Sequence, residues 1–286
     1  MQSITIAASA KINLSLLILS QRPDGYHEIE TLMAQITLAD EIEVSRGVES
    51  GIQFACNVPE LPAGSENLCV KAACAFFQAS GIEHGIAISL MKRIPHGAGL
   101  GGGSSDAASV LKGLNELFDH PLVQEELHQI GATLGSDVPF FLENGPIWCR
   151  GRGEILEPST PLPERRILLI KPPYPVATSW AYMHFAELKN NASTPKAEVP
   201  QYLGDIKLTN DLEFPVFHKH LILHVMKSWF RSRPGVESAF MTGSGSTMVA
   251  ILAPSVSDQD ITVLRRQIAV EFGPTFWVTE TAFRAV

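Results

Sequence analysis

An α+β fold is what the amino-acid sequence predicts, and three observations carry the prediction. Apolar and polar residues alternate, as in strands, at 4–19 and 85–94. Ala107, Val110, Leu111, Leu114, Leu117 and Phe118 form the apolar stripe of an amphipathic helix. The two patterns mix along the chain without regular β-α alternation, which argues against a doubly wound parallel sheet.

In ITIAASAKINLSLLIL, Ile12, Leu14 and Leu16 point one way while Lys11, Asn13 and Ser15 point the other, so the first strand has a polar face. QRPDGYHE follows as a tight turn, in which Pro23 presets φ and Gly25 accepts a positive one. Strands near 29–38 and 41–46 extend a meander, and 52–56 adds a short strand. Residues 66–79 read as a helix closed by Gly81. The strand at 85–94 feeds a glycine run and the striped helix. A further helix at 123–134 leads into LGSDVPFF.

From about 160 the texture changes. PLPERRILLIKPPYPVAT is a strand between proline clusters, followed by a short helix and a polar stretch, LKNNASTPKAEVP, expected to be a mobile surface loop. A helical segment near 216–230, the strand–loop–strand SAFMTGSGSTMVAIL, a helix near 258–271 and a strand near 275–280 complete the chain. The change of texture suggests two domains, 1–160 and 161–286.

Composition narrows the function. At 45% hydrophobic and 18% charged residues over 286 positions, this is an ordinary globular chain. No apolar run is long enough to span a bilayer, and no signal peptide is apparent at the start, so no membrane is expected. Cys56, Cys69, Cys74 and Cys149 form no C-x-x-C pair and suit a reduced, cytoplasmic protein. A net charge of −8 without a long basic run makes nucleic acid a poor partner. An anionic ligand must then be held by locally aimed donors rather than by the global field.

The stretch PHGAGLGGGSSD, 95–106, points to such donors. So many glycines forfeit backbone order unless something must approach the backbone closely. Gly97, Gly99 and Gly102 satisfy G-x-G-x-x-G, yet the preceding strand alternates, whereas the central strand of a dinucleotide fold is apolar on both faces. No lysine follows as in a Walker loop. What remains is a run of N–H groups leading into a helix start, a site for an anion and above all for phosphates, with Ser104 and Ser105 able to cap or donate. A glycine-rich surface loop without a ligand is the bland alternative.

Other residues read two ways. Lys11 and Asn13 share a strand face that is either a solvated sheet surface or the wall of a wet cleft. Asp137, before Pro139, is either a helix or turn cap or a catalytic carboxylate. Tyr26 and His27 could grip a planar base or stand exposed on their turn. His218, His220 and His224 tempt a metal reading, but no acidic residue or cysteine is near enough in sequence to make a rich zinc site.

Together these stretches resemble the GHMP small-molecule kinases. PHGAGLGGGSSDAA is similar to their phosphate-binding motif, AKINLSL to their first motif and MTGSGSTMVAIL to their third, in the family's order and across both halves of the chain. With RPDGYHE and LGSDVPFF added, the likeness is to the branch acting on a cytidine diphosphate-linked methylerythritol. The resemblance implies a two-domain fold with the active-site cleft between an amino-terminal ATP-binding domain and a carboxy-terminal substrate-side domain.

The same resemblance implies an ATP-dependent kinase with Mg²⁺. Asp137 would be the catalytic base and Lys11 its partner. The stretch Pro95, His96, Gly97, Ala98, Gly99, Leu100, Gly101, Gly102, Gly103, Ser104 and Ser105 would wrap the ATP phosphates, with Asn67 and Lys92 near the adenosine. Asn13, Tyr26 and His27 would face the acceptor, with Tyr182, or its rival Trp180, covering the second face of the base. Asp106 stands where some relatives carry Asn, and the magnesium ligands are not legible. A monomer or weak homodimer is expected. The rivals are another GHMP kinase, acting on homoserine, mevalonate or a sugar, a nicotinamide-dependent oxidoreductase, and a non-catalytic ligand sensor.

Overall fold

The structure is a computed structural model that describes residues 2–48, 50–191 and 199–285. Its largest sheet is built on an antiparallel pair of long strands, β1 (Ser3–Gln21) and β2 (His27–Val48). β3 (Ile52–Cys56) and β4 (Gly85–Met91) extend it on the β2 side, and β5 (Ile147–Gly151) and β6 (Ile155–Pro158) add to the first half of β2. β8 (Gln201–Leu203) and β9 (Ile206–Asn210), from the second half of the chain, extend it past β1.

The two strands expected at 29–38 and 41–46 are one. β2 continues because its ladder with β1 survives an irregularity between Ser9↔Ala39 and Lys11↔Gln35. There β2 turns its hydrogen bonds to the end of the chain. Thr37 Oγ1 lies 2.9 Å from Thr281 Oγ1, Leu38 N donates to that hydroxyl at 2.9 Å, and Ile36 bridges Phe283. The expected strand at 85–94 stops at Met91, and Lys92–Ile94 form a corner instead.

Helices α1 (Leu68–Ser80), α2 (Gly102–Leu117), α3 (Gln124–Leu134) and α4 (Val138–Leu142) share a core with the β2–β4 face, including Phe76, Leu111 and Leu114 against Ile42, Val44 and Ile88. α1 is closed by Gly81 as expected, with φ 67°, but starts two residues later than expected, where Asn67 Oδ1 accepts Cys69 N at 2.8 Å. α2 starts at Gly102, within the glycine run, rather than near Ala107.

The second sheet runs β10 (Val236–Met241), β11 (Met248–Leu252), β7 (Arg166–Lys171), β12 (Trp277–Ala282). With it pack α5 (Thr178–Asn191), α6 (Glu213–Lys219), α7 (Leu221–Arg231) and α8 (Asp258–Phe272). A third core joins the sheets, with Ile12, Leu14 and Leu32 against Ile167, Leu169 and Val249. The apolar side of β1 is therefore buried between layers, and its polar side is left to face the site.

Two hairpins, β5–β6 and β8–β9, were not anticipated from the sequence. The segment expected as one helix near 216–230 is two, because His220 leaves helical geometry at φ −112°, ψ 69°. The polar stretch expected as a mobile loop begins inside α5, which runs to Asn191, and its residues 192–198 lie outside the described residues. No helix among the described residues is long and apolar enough to cross a membrane.

Candidate active site

The polar face of β1 is not a solvated surface: Lys11 and Asn13 are 5% and 4% exposed. Lys11 Nζ donates to Asn13 Oδ1 at 2.6 Å and stands 3.6 Å from Asp137 Oδ2. Asn13 is oriented by its other atoms. Its Nδ2 donates to Thr31 Oγ1 at 2.8 Å, Thr31 Oγ1 donates to Ser15 O at 2.6 Å, and Asn13 N donates to Thr242 Oγ1 at 2.9 Å. With its amide nitrogen engaged, Asn13 turns an acceptor toward the ammonium.

Asp137 precedes α4, but its side chain caps no backbone N–H; its φ of −86° and ψ of −10° are already helical. The simple capping reading is therefore replaced by an ion pair with a buried lysine, on a carboxylate still about one-third exposed. The far end of α4 is anchored by Lys112 Nζ, which donates to Phe141 O at 2.7 Å.

The glycine run is locked against both neighbours. Gly99 and Gly101 sit at φ 75° and 70°. A Cβ on Gly99 would lie 2.7 Å from Thr242 O, and one on Gly101 would lie 2.8 Å from Phe141 Cζ and 2.9 Å from Lys11 Cγ. The run also receives Lys11 N at Leu100 O, 3.0 Å. No side chain caps α2 where it leaves the run, so the first-turn amides remain for an anion. Asn210 holds the opposing turn, donating to Met241 O at 2.7 Å and Gly243 O at 2.8 Å.

The glycine run and the Lys11–Asp137 pair line one cleft of about 1180 Å³. Pockets for one ligand span roughly 300–1,000 Å³, so the cleft is larger than a single-ligand pocket ordinarily is. Lys11, Asn13, Asp137, Pro95–Ser104, Asn67, Lys92, Tyr26, His27 and Tyr182 all line it. Ser105 is buried in α2 and does not. Tyr182 faces the cleft, whereas Trp180 packs on His184, with ring centroids 4.3 Å apart.

His27 lies 5.3 Å from the Tyr182 ring, and its buried Nε2 has no hydrogen-bond partner. Burial also lowers its pKa, favouring the neutral imidazole. Burial and the Asp137 charge push the Tyr182 hydroxyl up, keeping it protonated. Tyr26 is 55% exposed beside this pair, with the Arg152 guanidinium 5.2 Å from its ring.

Lys92 lines the cleft, but its ammonium is taken by Asp40 Oδ2 and, at 2.8 Å, by Asp106 Oδ2. Burial and the Asp40 charge together outweigh Lys92 and raise Asp106 to about 7. The sequence reading missed Thr31, Asp40, Arg152, Asn210 and Thr242. Asp40, Asn210 and Thr242 act through contacts distant along the chain, and Arg152 sits on the unforeseen β5–β6 hairpin. Thr31 was legible in principle, since it follows the turn on the strand expected to pair with β1.

The three carboxy-terminal histidines do not gather. His220 stacks on Tyr174 at 5.2 Å and His224 lies beside Phe217 at 5.7 Å. Among the described residues, no three His, Cys, Asp or Glu side chains are grouped to hold a metal ion.

Residues 67–145 match the family described as GHMP kinases N terminal domain. Across 95% of its length the chain is 44% identical to a 4-diphosphocytidyl-2-C-methyl-D-erythritol kinase of Methylacidiphilum infernorum, covering 93% of that protein. A crystal structure of 4-(cytidine 5'-diphospho)-2C-methyl-D-erythritol kinase superposes with a TM-score of 0.79 at 34% identity, covering 99% of this chain and 100% of that one. The Methanococcus jannaschii mevalonate kinase, 14% identical, shares the fold at a TM-score of 0.70, with 99% of each chain covered.

Proposed function

The chain belongs to the 4-diphosphocytidyl-2-C-methyl-D-erythritol kinase family of GHMP kinases, the ATP-dependent small-molecule kinases of isoprenoid precursor synthesis, and we propose how its cleft performs the transfer. ATP lies with its phosphates along Pro95–Ser104 and its nucleoside toward Asn67 and Lys92. The acceptor lies against Asn13, Tyr26, His27 and Tyr182. Residues 1–160 hold the donor and one side of the acceptor, and residues 161–286 cover the acceptor's other side with Tyr182.

The observation that carries this reading is the placement of Lys11. Its ammonium is held between Asn13 Oδ1 and Asp137 Oδ2, and its chain packs directly under Gly101. Phosphoryl transfer needs positioning, charge neutralisation and an acceptor for the hydroxyl proton. Asp137, partly exposed, takes the proton of the 2-hydroxyl of the methylerythritol unit. Lys11 fixes that carboxylate and places a positive charge where the transferred group passes, and the α2 amides stabilise charge on the phosphates.

Mg²⁺ binds to such sites by one or two oxygen ligands plus the nucleotide's own phosphates, so a dedicated cage is not needed. The Ser104 hydroxyl and the Asp137 carboxylate are oxygen groups on the cleft wall that would hold such an ion beside the phosphates. When bound, the ion neutralises charge on the ATP phosphates. The four cysteines are free, which suits the proposed cytoplasmic setting.

A coupled ADP-release assay tests the reading. The diphosphocytidyl methylerythritol acceptor should support turnover, and mevalonate, homoserine and free sugars should not. Equal rates with any of these would overturn the assignment of the acceptor half.

A further inference from the structure

Asp40 lies on β2 just past its irregularity and is 1% exposed. Its Oδ1 accepts the backbone N–H of Arg93 and, at 2.8 Å, that of Ile94. Its Oδ2 pairs with Lys92 Nζ, which reaches across to Asp106 Oδ2 on α2 at 2.8 Å. From the other side, Asn57 Oδ1 accepts Lys92 N at 2.7 Å, and Asn57 Nδ2 donates to Lys92 O at 3.2 Å. The corner at 92–94, immediately before the glycine run, is thus fixed on both edges and tied to the helix that follows the run.

This is a costly way to hold a corner. Buried carboxylates must be paired, and here two of them share a single ammonium. That sharing keeps the Lys92 charge from serving the phosphates. The corner packs straight onto the run: a Cβ on Gly102 would lie 3.1 Å from both Ile94 Cγ2 and Lys92 Nζ. Any drift of the corner would therefore be passed to the first amides of α2.

We propose that Asp40 is a positioning residue for the donor nucleotide, setting the corner at 92–94 against α2 so that the amides of Gly101–Gly103 meet the phosphates in one geometry. The inference rests on reading the glycine run as the ATP cradle. Misplacement of about 1 Å can cost on the order of 100-fold in such sites, and it should act on the substrate whose site is displaced.

The test uses the full chain, with the dissociation constant for ATP measured by calorimetry and the KM for each substrate measured by turnover. Asp40→Asn should raise the ATP dissociation constant and the ATP KM by roughly 10-fold or more, with the acceptor KM changed by less than about twofold. Asn57→Ala, at a more exposed position, should show the same split more weakly, and it stands in if the Asp40 variant does not fold. An unchanged ATP affinity in either folded variant, or equal rises in both KM values with a lowered melting temperature, would overturn the proposal. Wild-type protein that does not bind ATP would instead overturn the cradle reading beneath it.

Discussion

Lys11 and Asp137 come from separate elements, a central strand and the start of a short helix, and meet at 3.6 Å inside the cleft. Their meeting depends on the glycine run. Gly101 leaves no Cβ where Lys11 Cγ and the Phe141 ring of α4 converge. The proposed nucleotide cradle and the proposed proton-accepting pair are thus one packed unit.

Asp137→Asn should preserve ATP affinity within about threefold and lower kcat by roughly 100-fold or more, since an amide cannot take the hydroxyl proton. Lys11→Met should lower kcat comparably, and the double variant should lose far less than the product of the two, because the pair acts as a unit. Single-turnover rates and calorimetry would check this. Additive losses would separate the two residues.

Gly99 and Gly103 should behave oppositely. At φ 75°, with a Cβ only 2.7 Å from a backbone carbonyl, Gly99→Ala strains the fold itself and should lower the melting temperature. Gly103 is helical, and its Cβ would meet only Leu68 Cδ1 at an ordinary 3.6 Å. Gly103→Ala should leave stability unchanged or raise it by up to about 1 kcal/mol. If the missing Cβ serves a phosphate, the same variant should nonetheless raise the ATP KM. Thermal melts beside ATP titrations separate the two effects.

Asp106 predicts a slope of stability with pH. Its folded pKa of about 7 lies above its ordinary 3.8, so the folded chain holds a proton that the unfolded chain releases. Its contribution is complete below about pH 4 and is lost as pH rises through about 7, at up to about 1.4 kcal/mol per unit. Asp106→Asn cannot titrate, so the wild-type advantage over the variant should shrink from pH 5 to pH 8 in urea denaturation. A constant difference would show that Asp106 stays ionised.

Apart from the β5–β6 and β8–β9 hairpins, the strands, the longer helices and the glycine run were legible because each writes a local signal: alternation, a 3.6-residue stripe, or a cluster that only close backbone approach explains. The break read into β2 near residue 40 was a local signal misread. Ile36–Leu38 turn to the chain's last strand, and Asp40 turns inward to Lys92, which no window of sequence reveals. The ambiguity at Lys11 and Asp137 had the same origin, since each is decided by the other. Lys92 was legible as a cleft residue, but the two acids that occupy its ammonium were not.

The acceptor's base would meet the Tyr26 turn and the His27–Tyr182 pair. Tyr26 stands on the Pro23-Asp24-Gly25 turn, whose Asp24 Oδ1 accepts Tyr26 N at 3.1 Å and holds the ring's backbone. Stacking on a nucleobase is worth about 1–3 kcal/mol and is blind to which base it meets. Tyr26→Ala should therefore weaken cytidine- and uridine-diphosphate acceptors alike, by roughly 10- to 100-fold. Discrimination needs a polar reader left unpaired by the wrong base edge. His27 qualifies: Nε2 is buried without a partner, and its ring is set against Tyr182. Because burial lowers its pKa, the imidazole is neutral at pH 7 and can present one donor and one acceptor. His27→Ala should leave ATP affinity intact and narrow the preference for the cytidine over the uridine acceptor, read as the ratio of kcat/KM values. An unchanged ratio in the folded variant would remove His27 from base recognition and pass that role to backbone groups of the turn.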